Sequence, residues 1–144
     1  MKNTKGFTLV ELIIVIVIVG ILSIVAVPVY KGYTKKAMGT EAKSLIGSIA
    51  TAERVYFAEW NNYYSVADSG DNSAYGAALR VLDVDGRNNK YFTGYTVSIT
   101  GSDTDAEFTA IVTGNSDGGA KNIAVTLVNP STDKPTLTEY YGEN

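Results

Sequence analysis

Glu11 is the carboxylate in this sequence that is placed where a charge is costly. It follows Phe7 by one helical turn and lies inside a stretch, Phe7 to Val29, that is otherwise uncharged. An acid within an apolar helix of this kind needs a partner, and an intramembrane acid marks a functional site by default. A cut between Gly6 and Phe7 would create one. The new α-amine at Phe7 would lie close to Glu11 in sequence and at the same depth in a bilayer, in the same subunit or in a neighbour. The chemistry this suggests is charge pairing rather than catalysis.

Other chemistry has little to build on. The 144 residues include no His and no Cys. That removes the commonest general base, the commonest metal ligand, the thiol nucleophile and the disulfide. Glu53 and Glu59 are spaced at neither three nor four residues, so they are not neighbours on one helical face and form no acid–base pair. No glycine-rich phosphate loop and no zinc-ligand set is present. Asp83-Val84-Asp85-Gly86, followed by Arg87-Asn88-Asn89, is a fragment of a calcium loop. The full loop needs a third ligand, a glycine at its sixth position and a distal Glu, and those spacings are missing. Asp83 and Asp85 are the calcium candidates, but the Asp-Gly pair reads more simply as a turn. Asp103, Asp105 and Asp117 read as solvated turn residues. A formal net charge of −3 with no basic cluster gives no footprint for nucleic acid.

The element that positions Glu11 is the apolar N-terminus. Phe7 to Val29 as a helix would extend about 34 Å, enough to span a bilayer core. An ordinary signal peptide would have a shorter apolar region and a small-residue cleavage site after it. A plain anchor would have no use for Glu11. Lys2 and Lys5 precede the span while Lys31, Lys35 and Lys36 follow it, so charge bias leaves the orientation open. Pro28 cannot donate to the carbonyl of Ile24, and Gly20 and Gly32 are further weak points of the helix.

Lys5-Gly6-Phe7-Thr8-Leu9-Val10-Glu11-Leu12 resembles the processing site of type IV pilins and type II secretion pseudopilins. A basic leader, Gly before Phe, Glu at the fifth mature position and an unbroken apolar helix occur in order, and Pro28 stands where many members carry a proline. The likeness covers residues 1 to 35, extends to about 65, and is architectural beyond. It implies that residues 1–6 are a leader, that a prepilin peptidase cuts after Gly6, and that the Phe7 nitrogen is methylated. It implies a single-pass precursor in the inner (cytoplasmic) membrane with its N-terminus inside. It also implies an assembly platform and an ATPase that extract subunits from lipid into a homopolymeric cell-surface filament. In some filaments of this family the helix is locally extended, which marks Gly20 to Pro28 as an unwinding segment. Some pseudopilins with disulfide-free heads bind calcium in late loops, so calcium at Asp83 and Asp85 stays an expectation; no other cofactor is expected.

The remainder reads as an α+β fold of the pilin kind. Residues 7–30 form the transmembrane or filament-core helix and residues 31–60 its amphipathic half. Met38, Ala42, Leu45, Ile49, Ala52 and Tyr56 make the buried stripe, with Lys36, Lys43, Glu53 and Arg54 largely off it. Residues 61–144 form a head. Asn61 to Tyr64 ends the helix, Asp68 to Ser73 is a loop, and Ser73 is placed to cap a short helix over Ala74 to Leu82. Alternation at Tyr95, Val97 and Ile99, at Phe108, Ala110 and Val112, and at Ile123, Val125 and Leu127 predicts antiparallel strands. A last strand runs from Thr136 to Tyr141. Gly101–Asp105, Gly114–Lys121 and Asn129–Pro135 are the breaks. Three or four strands would lay their apolar face on the helix stripe.

Tyr30 and Tyr33 with Lys31, Lys35 and Lys36 read as an interfacial belt. Tyr56, Phe57, Trp60, Tyr63 and Tyr64 read as core or subunit interface; aromatic content alone is a slender warrant for electron conduction. The function expected is a structural subunit of a type IV pilus, serving adhesion, twitching motility or DNA uptake. A type II secretion pseudopilin is the alternative: the missing Cys tilts towards it or towards pilins of other lineages, whereas Ala52-Glu53-Arg54-Val55-Tyr56 with Asn62-Tyr63-Tyr64 looks more like a pilus subunit. A membrane-anchored binding module that never polymerises is the next, and an anchored hydrolase is disfavoured by the missing His and Cys.

Overall fold

The computed structural model describes residues 6–67, 78, 80–86, 89–101, 105–115, 119–131 and 133–142. Its elements are a helix α1, Leu9–Trp60, and four strands: β1, Gly94–Thr100; β2, Glu107–Thr113; β3, Ile123–Asn129; and β4, Thr136–Tyr141. The chain divides into two compact units, residues 1–34 and residues 35–144.

The first unit is the apolar half of α1. Helical conformation runs without a break through Gly20, Pro28 and Gly32. Its large apolar side chains, from Phe7 and Leu9 through Val29, are exposed. An uninterrupted helix satisfies its own backbone except at Pro28, which is what a segment without polar neighbours requires.

The second unit is the head. Its four strands follow one another in the order β1-β2-β3-β4, each antiparallel to the next. The period-two pattern sets the register. Tyr95 faces Val112, which faces Val125; Val97 faces Ala110, which faces Leu127. These residues, with Phe108 and Ile123, are buried in one cluster together with Ala42, Leu45, Ile46, Ile49 and Ala50 of α1. Gly101 turns the chain after β1 at a φ of 81°, where a side chain would be strained and would also run into the Asp105 carbonyl. β4 matches its expected bounds but is largely exposed.

The buried helix face is turned slightly from the expected stripe: Gly39, Ile46, Ala50 and Glu53 join Ala42, Leu45 and Ile49 on it. The fully buried row is Gly39, Ala42, Leu45, Ile46, Ile49, Ala50 and Glu53, while Met38, Ala52 and Tyr56 are half-buried at its edge. Positions 39, 42, 46, 49 and 53 follow helical spacing as well as the expected row does, and they run along its centre. Glu53 was expected off the face because it is charged; geometry puts it inside.

Residues 78 and 80–82 are helical, in line with the end of the expected short helix. Its start, its Ser73 cap and the loop Asp68–Ser73 lie outside the described residues. So do Lys2, Lys5, Arg87, Asn88, Asp103 and Asp117.

Candidate functional site

The start of α1 is a closed hydrogen-bonded ring. The Thr8 N–H and the Thr8 hydroxyl both donate to Glu11 Oε2, at 2.9 and 2.7 Å, and the Glu11 N–H donates to Thr8 Oγ1 at 3.2 Å. The Leu12 N–H reaches the Thr8 carbonyl at 3.2 Å. This is a capping box, with Thr8 as the cap and Glu11 three residues on. It begins the helix two residues after Phe7, the expected first residue. The signal was in the sequence: a Thr-x-x-Glu spacing directly before an apolar run. Thr8 is the residue that sequence reasoning left out.

The ring changes how the site works. Glu11 is not a bare carboxylate waiting for an amine. Its Oε2 is taken by Thr8, and its Oε1 makes no hydrogen bond to any described residue. A carboxylate accepts at both oxygens, so a cation could be added at Oε1 without breaking the cap. Phe7 lies beside the ring, 84% exposed, and Gly6 precedes it with open space around its Cα.

α1 is the one helix among the described residues long and apolar enough to cross a membrane, and no part of its apolar window is buried. Gly20 and Pro28 both lie within it. Lys31 and Lys36 are exposed after the span. Lys35 departs from the interfacial belt: its Nζ donates to the Gly142 carbonyl at 2.9 Å and so ties α1 to the chain just after β4. Lys43 holds the same edge through a 2.6 Å ion pair with Glu139, which keeps the Glu139 carboxyl below its usual range. Glu139 in turn accepts from the Tyr141 hydroxyl and pushes it up to about 12. Gly39 lets Tyr141 lie against the helix backbone, since a Cβ there would collide with the Tyr141 hydroxyl.

Two helix carboxylates fasten loops to the head. Glu41 Oε1 accepts the N–H groups of Tyr91 and Phe92 at 2.7 and 3.0 Å. Glu53 Oε2 accepts the Tyr64 N–H at 2.9 Å. Asp83 and Asp85 line a recess of about 360 Å³ with Glu41, Ser44, Ser48 and Asn89. Asp83 has a φ of 53°, the conformation of a turn. Calcium asks for six to eight oxygens, and among the described residues no three acids converge on one point.

The helix-end aromatics form two separate sets. Phe57 stacks on Tyr63 at 4.6 Å, and Tyr63 meets Phe108 edge-on at 4.8 Å. Tyr56 meets Trp60 at 6.3 Å and Tyr64 at 5.6 Å. Tyr63 and Tyr64 are half-buried against the core, whereas Trp60 is 67% exposed.

Residues 1–27 match the model of the prokaryotic N-terminal methylation motif. The chain is 32% identical over 131 residues to a type IV major alpha-pilin of Moraxella bovis, covering 90% of this chain and 72% of that one. It is 37% identical over 98 residues to the fimbrial protein EcpC of Eikenella corrodens, covering 68% and 57%. A fimbrial protein of Pseudomonas aeruginosa is 41% identical over 71 residues, covering 49% and 46%. The chain thus spans about half the length of several of the curated relatives it matches. No solved structure matches it. A capped, exposed apolar helix, an antiparallel head, a methylation motif over that helix, and a pilin relative aligned along nine-tenths of the chain agree: the chain belongs to the type IV pilin family.

Proposed function

We propose that this protein is a structural subunit of a type IV pilus filament, assembled through its N-terminal helix, and that it does no catalysis. The observation that carries this is Glu11 in its Thr8 cap at the head of an exposed apolar helix. A soluble protein does not leave such a helix uncovered, because apolar patches of this size mark contact with lipid or protein. A simple anchor does not need the acid. The names of the relatives, major pilin and fimbrial protein, support a pilus over a secretion pseudopilus.

In this reading the precursor sits in the cytoplasmic membrane with its N-terminus inside. A prepilin peptidase cuts between Gly6 and Phe7, and the Phe7 nitrogen is methylated. An assembly platform and its ATPase then move the subunit from lipid into a surface filament of identical copies. The mature N-terminus is expected to be Phe7, found by intact mass and N-terminal sequencing of native protein. An N-terminus at Met1, or one beyond Pro28, would end this reading. Long surface fibres that label for this chain are the matching expectation by electron microscopy, and their absence from expressing cells would argue for a different assembly.

The helix is expected to change within the fibre. Pro28 leaves the Ile24 carbonyl without its partner, and Gly20 weakens the turn before it. A filament map should show extended backbone between Gly20 and Pro28, where the isolated chain is helical. Unbroken helix there would refute the unwinding.

A further inference from the structure

Filament assembly through the apolar helix gives no role to a second acid, buried in the head. Glu53 has no solvent exposure. Its Oε2 takes the Tyr64 N–H at 2.9 Å, and its Oε1 is buried without a hydrogen-bond partner among the described residues. We propose that Glu53 is a pH-operated latch: neutral, it fixes the Tyr63–Val66 segment to the last turns of α1, and ionised, it lets that segment go.

The segment is held at both ends, and side-chain bonds hold it to the sheet: the Ser65 hydroxyl donates to the Val97 carbonyl at 3.2 Å and Asn129 Nδ2 donates to the Tyr63 hydroxyl at 3.4 Å. At its start, Asn61 turns the chain at a φ of 52° and its N–H closes on the Phe57 carbonyl at 2.8 Å. At its far end, Val66 exchanges two backbone hydrogen bonds with Val97 of β1, at 3.0 and 2.9 Å. Between them the Tyr63 N–H is taken by the side chain of neighbouring Asn62. The Tyr64 N–H is the backbone group that ties the stretch back to α1, and Glu53 is its acceptor.

The Tyr64 N–H satisfies the carbonyl oxygen of a neutral carboxyl, and the one O–H left unpaired costs less than a buried charge. An ionised carboxylate spreads charge over two oxygens and asks for several donors or a cation. The charged and titratable groups on the surrounding elements do not supply one. Arg54, next in the chain, donates to Asn129 Oδ1 of β3 at 3.2 Å. Lys43 is paired with Glu139 of β4. Glu59 on α1 is exposed, and Glu107 of β2 accepts from Ser131. Tyr56 on α1, Tyr63 and Tyr64 after it, and Tyr95 on β1 carry no positive charge. Among the described residues no ion pair involves Glu53.

Burial accordingly pushes the Glu53 carboxyl up to about 7, against the lowering effect of the Tyr64 N–H. The sign follows. A folded pKa above the unfolded one stabilises the closed form at low pH, and that advantage disappears as pH rises from about 4.5 to about 7. Opening would free the Tyr64 ring from Tyr56 and loosen Tyr63 on Phe108, leaving the four-stranded ladder in place.

The test uses the full chain in detergent micelles. Hydrogen exchange of the Tyr64 amide is followed from pH 5 to pH 8 and corrected for intrinsic rate. Wild-type protection should fall by roughly seventyfold across that range, by proton linkage between the two pKa values. Glu53→Gln keeps an acceptor for the Tyr64 N–H and cannot ionise, so its corrected protection should be flat. Parallel profiles in the two proteins would overturn the latch. The wild type also gives an answer alone: the side-chain carbonyl carbon of Glu53 should titrate with a midpoint near 7, and a midpoint in the ordinary carboxylate range would overturn it.

Discussion

Glu11→Val should enter the membrane, lose its leader after Gly6 as the wild type does, and give few or no filaments when it is the only subunit present. Insertion should not suffer, because the substitution removes a carboxylate that costs up to about 2.5–3.5 kcal/mol at the centre of a membrane helix. Processing should not suffer, because Gly6 and Phe7 are untouched. Docking should suffer, because the carboxylate is what a neighbouring Phe7 α-amine would pair with in a water-poor filament core. Such a pair adds little net stability over an apolar substitute, but leaving one charge unpaired is strongly unfavourable. Its value is registry: a subunit satisfies its charge at only one axial position. Sheared-filament yield should drop by tenfold or more, which corresponds to about 1.4 kcal/mol for each subunit added.

The capping box makes the experiment sharper. Valine removes both the charge and the acceptor for Thr8, so a failure to assemble could reflect a frayed helix start, worth about 0.5–2 kcal/mol. Glu11→Gln separates the two. Glutamine serves at the third position of a capping box, so it keeps the ring that Thr8 closes on Oε2 and removes only the charge. Both variants should be cut normally and both should assemble poorly. Assembly by Glu11→Gln with failure by Glu11→Val would make the cap the determinant. Normal yield from both would show that this acid does not direct docking.

Much of this was readable from residue types and spacing, for physical reasons that differ along the chain. The strands were legible because each carries apolar residues at every second position and is bounded by Gly, Asn or Asp, as at Gly101 and Asn122, both of which have positive φ. The helix was legible because an uncharged run and an amphipathic stripe join without a breaker stronger than Pro28. Glu53 was not legible, since a charged residue is assigned to solvent unless a partner can be named. Its partner is a backbone N–H eleven residues away, invisible to side-chain patterns. The same holds for Glu41 and the N–H groups of Tyr91 and Phe92. Lys35 reads like Lys31 and Lys36 from its place after the apolar run, but its acceptor is a carbonyl 107 positions on. Thr8 was legible, since a Thr-x-x-Glu spacing directly before an apolar run is the pattern of a capping box.

Phe108→Ala should have the largest effect on the head and the least on the membrane segment. Phe108 is fully buried. It lies on β2 between Ile99 of β1 and Asn129 of β3, and its ring takes the edge of Tyr63, which carries Phe57. Truncating a buried Phe to Ala costs about 3–5 kcal/mol, partly as lost transfer energy and partly as the cavity left behind. Domain stabilities are about 5–15 kcal/mol, so this change should leave the head marginal. Urea unfolding followed by tyrosine fluorescence should show the midpoint falling sharply with little change of slope. Tyr140→Ala is the control: Tyr140 is 63% exposed on β4, and a surface change of that kind is usually within about 0.5 kcal/mol. The apolar half of α1 belongs to the other unit, so the Phe108 variant should still insert and still be cut after Gly6. Its head should become protease-sensitive and its filament yield should fall through loss of subunit. Glu11→Gln should do the reverse, with an intact head and a failure confined to docking. A Phe108→Ala head no less stable than Tyr140→Ala would mean that the head's core does not lie where β2 meets Tyr63.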